Sequence, residues 1–128
     1  KDFETILSSQ SKEFISNSQI NNLLLEPVLY NNFNRMTLVN KYFSERVTID
    51  TNLSFRSEGK EKKLDQLIVI EVKQEGKRLN TSINSVLKSL KIAPTNFSKY
   101  CIGVTNTFDK IKSNRFKEIN LKINKINI

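Results

Sequence analysis

The most strand-like run of the sequence, LIVIEVK near the middle of the chain, places a glutamate and a lysine two residues apart. Alternate side chains of a strand point to opposite faces. Glu71 and Lys73 therefore share one face, while Ile68, Ile70 and Val72 share the other. An acid and a base on one face suit a metal site, a phosphate site, a nuclease or a surface ion pair.

The segments before and after this run predict a mostly antiparallel sheet. From Val28 the apolar residues recur with a period of two, and FNRMTLVNKYF predicts a strand. The segment Glu45–Ser57 predicts a β-hairpin that turns at Thr51 and Asn52. EGKEKKLD predicts a loop before the LIVIEVK strand, EGKRLN predicts a second loop, and SKYCIGV predicts a last short strand.

Helical spacing of apolar residues precedes and interrupts these strands. Residues 1–26 predict a helical lead-in that Pro27 ends, and a second helix is predicted at about residues 82–91. Residues 107–128 form a basic C-terminal segment that predicts either an edge strand or an amphipathic end. The fold class is therefore α+β, with a curled antiparallel sheet or part of a β-barrel over residues 28–106 and flanking helices.

The composition limits both the size and the chemistry of the protein. A chain of 128 residues suits one domain, and its formal net charge of +8 suits a polyanionic partner. The sequence has no histidine and one cysteine, so a metal would be a hard cation held by carboxylates. No apolar run approaches the length of a membrane span, and we expect a cytoplasmic location. Because the chain begins with Lys1, we also expect it to be an excised segment of a single, partial domain.

Several predicted strands carry charge at alternate positions. One solvated face of an antiparallel sheet would explain any one of these residues. Arginine, however, predominates on the first strands, and its planar fork fits phosphate oxygens. A curled sheet would direct the whole set into one concavity. The charged residues in question are Arg35, Lys41, Arg46, Asp50, Arg56, Glu71, Lys73 and Lys99.

The runs RMTLVNKYFSERVTID, LIVIEVK and FSKYCIG, in this order, resemble the C-terminal half of the VTC domain. This is the polyphosphate polymerase domain of the triphosphate tunnel, or CYTH-like, superfamily. The resemblance covers roughly Leu24 to Val104. It implies an antiparallel barrel whose basic tunnel binds a nucleoside triphosphate, a triphosphate or polyphosphate, together with manganese or magnesium. It also implies that Ile68, Ile70 and Val72 pack outward under helices. Because the N-terminal half of the tunnel has no match in this chain, we expect an excised segment, a partner chain that completes the barrel, or a degenerate protein.

The resemblance also implies roles for individual residues. Arg35 and Arg46 match phosphate-binding tunnel arginines, Glu71 matches the metal-binding glutamate, and Lys73 and Lys99 match lysines that line the tunnel or contact phosphate. Arg56 is a further phosphate-binding candidate, and Asp50 is a further metal candidate. No residue is assigned a catalytic role. The resemblance implies metal-dependent phosphoryl transfer, with polyphosphate made from a nucleoside triphosphate, when the domain is complete.

Two other functions fit parts of the sequence. Asp50 followed by Glu71 and Lys73 has the minimal pattern of a PD-(D/E)xK nuclease, in which two acids hold magnesium. That reading leaves Arg35, RVTI and SKYCIG without a role. Alternatively, the basic chain is a noncatalytic module for binding polyanions, in which Glu71 and Lys73 form a surface pair. Nucleic-acid binding through the basic tail has little support, because no aromatic residues alternate with its lysines as a stacking surface requires.

Overall fold

The structure, a computed structural model, describes residues 7–18, 27–41, 44–57, 59–74 and 82–126. Over these ranges the chain forms four antiparallel strands and four α-helices, which confirms the α+β prediction; the described strands form an open sheet and no closed barrel. In chain order the elements are α1 (Ser9–Ser16), β1 (Tyr30–Val39), β2 (Glu45–Ser57), β3 (Lys60–Leu64), β4 (Val69–Gln74), α2 (Ser82–Ser89), α3 (Lys99–Thr107), a 3₁₀ turn (Asn114–Phe116) and α4 (Lys117–Ile126).

The long strand β2 is the centre of the sheet. Strand β1 pairs along one edge of β2, from Tyr30 opposite Arg56 to Val39 opposite Arg46. On the other edge, β3 pairs with the second half of β2 and β4 with the first half, both antiparallel. Strands β3 and β4 therefore lie end to end, and four strands make a sheet only three strands wide.

The predicted hairpin at Glu45–Ser57 is wrong, because this segment is one continuous strand. The register with β1 shifts by one residue near Asn52, where β2 carries one more residue than its partner. Asn52 has a φ of 53°, a left-handed conformation that asparagine tolerates well. The Thr51–Asn52 signal thus marks a β-bulge, at which an extra residue is absorbed without a turn.

The polar run EGKEKKLD is also not a plain loop, since its residues Lys60–Leu64 form β3. Gly59, with a φ of 82°, lies just before this strand. Leu64 pairs with Leu53 and is completely buried, whereas the lysines of β3 are mostly exposed. Lysine is common on edge strands, where charge discourages pairing with other chains. One buried leucine therefore anchors this strand, although the polar composition of the segment is typical of a loop.

The prediction of a strand at SKYCIGV is wrong, because this run begins helix α3. Ser98 is the N-cap, and its hydroxyl accepts a hydrogen bond from the backbone N–H of Cys101 at 3.3 Å. A short apolar run has no periodicity that separates strand from helix. The cap decides the outcome here, and it places Lys99 in the first turn of α3.

The C-terminal segment is helical, so its amphipathic alternative is confirmed and its edge-strand alternative is wrong. Ile119 and Ile123 of α4 lie one turn apart, and both contact the core, as does Phe116 of the preceding turn. The centre of that core is formed by fully buried side chains from β2, β3, α3 and α4: Leu53, Phe55, Leu64, Ile102 and Ile123. The helical predictions near the N-terminus and at 82–91 are confirmed where α1 and α2 are described.

One face of the sheet, here called the helix face, packs against α3. It carries Phe33, Leu53, Phe55, Leu64 and Val69, all of which belong to the core or contact it. The opposite face, here called the outer face, is formed by the residues that alternate with them. At its β4 end the outer face carries Met36, Leu38, Val47, Ile49, Ile70 and Val72.

Among the residues that the structure describes, the outer face is covered less than the sequence predicted. Ile68 and Ile70 were expected to pack under helices, yet they are 58% and 37% exposed. Met36 and Leu38 on the neighbouring strand are also exposed. Within the described part of the chain, the helix that packs on the sheet lies on the other face. The predicted loop EGKRLN and the tunnel-like domain boundaries fall wholly or partly outside the described residues and stay predictions.

Gly103 sets how closely α3 approaches the sheet. A Cβ atom at this position would lie 2.6 Å from Leu29 Cδ2 and 2.6 Å from Phe55 Cδ1. The Phe55 ring is 1% exposed and has little room to move. Glycine is therefore required here for close helix packing, although this position is helical and needs no special φ.

We expect Gly103→Ala to lower the free energy of unfolding by about 1–2 kcal/mol, since overpacking costs about 1–3 kcal/mol and the helix propensity of alanine returns up to about 1 kcal/mol. Urea denaturation followed by circular dichroism measures the change. Tyr100→Ala, on the same helix but 56% exposed, should change stability by less than about 0.5 kcal/mol. Equal stability of the Gly103→Ala and native proteins would contradict the close approach.

Candidate functional site

Beyond the core, the helix face of the sheet becomes a strip of polar and charged side chains. Cross-strand partners share a face, so the register defines three successive rows across β1, β2 and β4. We call this surface the charged strip. Its rows are Arg35, Asp50 and Val69; then Thr37, Thr48 and Glu71; then Val39, Arg46 and Lys73.

Asp50 is the best-defined group of the charged strip. Its carboxylate is 1% exposed and accepts two hydrogen bonds from the Arg35 guanidinium, from Nε at 2.6 Å and from NH2 at 2.8 Å. Lys99 Nζ lies 2.5 Å from the second carboxylate oxygen. Both oxygens of Asp50 are thus bound by cations, which is how proteins accommodate a buried charge.

The path of α3 explains how Lys99 reaches the sheet. Ser98 begins the helix, and Gly103 lets the helix lie close to β2, so the ammonium of Lys99 comes down onto Asp50. The ring of Phe33 lies beneath both cations, 4.8 Å from Lys99 Nζ and 5.0 Å from Arg35 Cζ. An aromatic face at this distance attracts a cation and restricts its position.

These contacts determine the protonation of the pair. The hydrogen bond from Arg35, together with Lys99, lowers the pKa of Asp50 from its ordinary 3.8 to about 2, although burial opposes the shift. The same hydrogen bond to Asp50 raises the pKa of Arg35. The cluster therefore holds two cations and one carboxylate at neutral pH, and it keeps one positive charge in excess.

Glu71 and Lys73 form a looser pair one row further along. Lys73 Nζ lies 3.2 Å from Glu71 Oε1, and the side chains are 59% and 45% exposed respectively. Exposed ion pairs contribute at most about 1 kcal/mol to stability. The pair is therefore dispensable for the fold, and both groups are accessible to a ligand.

Thr48 is a site residue that the sequence reasoning did not single out. It is 7% exposed, and its Oγ1 is buried with no hydrogen-bond partner among the described residues. It lies between Asp50 and Arg46 along β2 and opposite Glu71 on β4. A buried hydroxyl without a hydrogen-bond partner costs free energy unless a water, an ion or a ligand group meets it. The alternation of Arg46, Thr48 and Asp50 in RVTID is the signal that could have identified it.

The structure therefore brings together most, but not all, of the predicted site residues. Arg35, Arg46, Glu71, Lys73 and Asp50 lie in the charged strip, and Lys99 contacts it from α3. Arg56 lies on the outer face, beyond the bulge, and its guanidinium is 5.4 Å from the Tyr30 ring.

The carboxylates of the charged strip suit one mode of metal binding, in which the protein and the substrate share the metal. Among the described residues no three aspartate, glutamate, cysteine or histidine side chains cluster as a metal site would require. Glu71 is an accessible carboxylate of the charged strip. Magnesium is commonly held by one or two carboxylates, with substrate phosphates completing its coordination. The residues fit that shared arrangement and do not form an all-protein cage.

The fold and the site together define the class of the protein: an α+β domain with the charged strip on one face of an open antiparallel sheet. A comparison with protein-family models matches residues 5–108 to the VTC domain. The chain belongs to this family, and the match begins well before the segment in which the sequence resemblance was recognised. No curated protein and no solved structure matches the chain. None of the described helices is long and apolar enough to cross a membrane.

The lowered pKa of Asp50 predicts how stability changes in acid. Between its folded and unfolded pKa values the unfolded chain binds more protons, so a falling pH favours unfolding. We expect the free energy of unfolding to lose about 2 kcal/mol between about pH 4 and pH 2, relative to neutral pH. Denaturant titrations across this range measure the loss. Asp50→Asn should lack this component, and an unchanged acid dependence in that variant would contradict the assignment.

Proposed function

We propose that this protein binds the phosphate groups of a triphosphate or polyphosphate along its charged strip. In a complete VTC domain the strip would serve metal-dependent phosphoryl transfer, in which polyphosphate is made from a nucleoside triphosphate. The observation that carries the proposal is the presence of Arg35, Arg46, Lys73 and Lys99 at one surface, next to the carboxylate of Glu71. Membership of the VTC domain family supports it independently.

The length of the strip suits an extended anion. The outer rows are four residues apart along β2, which corresponds to about 14 Å at the rise of an antiparallel strand. Arg35 and Lys99 lie at one end, and Arg46 and Lys73 at the other. A single phosphate would meet only one end, whereas a chain of phosphates can meet both. Arginine and lysine are the side chains that bind phosphate oxygens most strongly.

Phosphoryl transfer requires cationic groups and a carboxylate of the kind that the charged strip contains. The reaction depends on positioning and on neutralising charge, and it requires little covalent participation by the protein. A divalent cation, manganese or magnesium, would be held by Glu71 and by phosphate oxygens, and would neutralise charge on those oxygens. The buried hydroxyl of Thr48, which lies opposite Glu71, would be a further donor for a phosphate oxygen.

A binding function without catalysis is the second candidate. It is favoured by the open sheet and by the single accessible carboxylate among the described residues of the strip. The nuclease alternative has less support. It needs Asp50 and Glu71 on one metal, but the Asp50 oxygens are engaged by Arg35 and Lys99.

Binding of tripolyphosphate tests the proposal directly. Isothermal titration with tripolyphosphate, with and without Mn²⁺, should show binding, and a short DNA duplex at the same ionic strength should bind more weakly. Tighter binding of the duplex would contradict the proposal. Turnover of nucleoside triphosphate into polyphosphate, measured in the same preparation, separates the catalytic candidate from the binding candidate.

Two matched arginine variants locate the site. Arg46→Gln should weaken tripolyphosphate binding about tenfold, since a charge-assisted contact is lost from the strip. Arg56→Gln removes the same charge from the outer face and should change affinity by less than about twofold, because exposed charges at a distance are screened by salt. Equal losses in the two variants would mean that net charge, and not the strip, governs binding.

A further inference from the structure

We propose that Asp50 is a positioning residue that holds Arg35 and Lys99 in place for phosphate, and that it is not a metal ligand. The inference rests on the proposed function, because it assigns a role within the same charged strip. It departs from the sequence prediction, which placed Asp50 beside Glu71 as a metal candidate.

The Asp50 carboxylate is already occupied by two cations. Asp50 accepts two hydrogen bonds from the fork of Arg35 and one contact from Lys99, at 2.5–2.8 Å. Its side chain is 1% exposed. A metal ion would have to displace at least one of these cations and would then lie against the other, which like-charge repulsion opposes. Glu71 is 45% exposed, and its ion-pair partner Lys73 is itself 59% exposed and is displaced more easily than the two cations that hold Asp50.

Arg35 and Lys99 have more N–H donors than Asp50 uses. The Arg35 guanidinium has five N–H groups and uses two of them on Asp50, and its side chain is 41% exposed. Lys99 has three ammonium hydrogens, of which one contact goes to Asp50. Both cations therefore keep donors for a phosphate while Asp50 fixes where those donors lie.

Asp50 also lowers the entropic cost of ordering two long side chains on a ligand. A free arginine or lysine loses rotamer freedom when it binds a ligand, which weakens binding. Asp50 and the ring of Phe33 restrict both cations before any ligand arrives. The negative charge of Asp50 thus cancels one unit of positive charge in the binding site, but it also fixes the positions of two phosphate donors.

This role predicts an effect opposite in sign to simple electrostatics. Asp50→Asn removes a negative charge, so net charge alone predicts tighter binding of a polyanion. If Asp50 positions the two cations, the same variant should bind tripolyphosphate about tenfold more weakly, through lost preorganisation. A metal ligand would give a third outcome, in which binding changes only when metal is present.

The test is a set of titrations on the native protein, Asp50→Asn and Glu71→Gln, each with tripolyphosphate in EDTA and in Mn²⁺. We expect Asp50→Asn to weaken binding in EDTA about tenfold and to keep the native ratio of affinities with and without Mn²⁺. Glu71→Gln should lose most of that ratio. Unchanged or tighter binding by Asp50→Asn in EDTA would overturn the inference, as would loss of the Mn²⁺ effect in that variant.

A second variant keeps the inference testable if Asp50→Asn does not fold. Arg35→Lys retains the charge but loses the fork that grips both oxygens of Asp50. It should weaken tripolyphosphate binding in EDTA about fivefold to tenfold, and native affinity would overturn the inference. Absence of tripolyphosphate binding by the native protein would instead refute the proposed function, and the inference with it.

Discussion

The buried carboxylate of Asp50 ties together the three elements on which this structure depends. It lies on β2, one of its cations comes from β1, and the other comes from the first turn of α3. A buried charge with its partners removed is strongly destabilising, so β1, β2 and α3 are held in one arrangement. The apolar contacts of Phe55 and Ile102 join the same strand and helix. The core and the site therefore both depend on where α3 lies on the sheet, so a shift of this helix would alter both.

The central position of β2 distributes different tasks along one strand. Its second half supplies Leu53 and Phe55 to the core, and its first half supplies Arg46, Thr48 and Asp50 to the charged strip. Because β3 and β4 share the same edge of β2, the core and the strip are consecutive regions of one face. The rigidity of the packed half supports the polar half, which is the arrangement that a binding site on a sheet requires.

Features that follow from the alternation of side chains along a strand could be predicted from the sequence. Predictions were wrong where a local sequence signal is compatible with two structures. The common face of Arg46, Thr48 and Asp50 and that of Glu71 and Lys73 followed from a period of two. The contact between Lys99 and Asp50 did not, because it depends on α3, and the sequence had predicted a strand at SKYCIGV. Asn52 indicated a turn but lies in a β-bulge. The lysines of β3 indicated a loop, although Leu64 of the same segment is buried in the core. Whether Glu71 binds a metal, and whether the location is cytoplasmic, stay predictions.

The bulge at Asn52 has a consequence for what kind of surface the sheet presents. Before it, the even-numbered residues of β2 face α3, and after it the odd-numbered residues do. If the strand lacked this one residue, Leu53 would still enter the core. Arg46, Thr48 and Asp50 would turn to the outer face, while Val47 and Ile49 would take their places. One extra residue thus decides whether β2 contributes charged and polar side chains or apolar ones to the surface that continues the core.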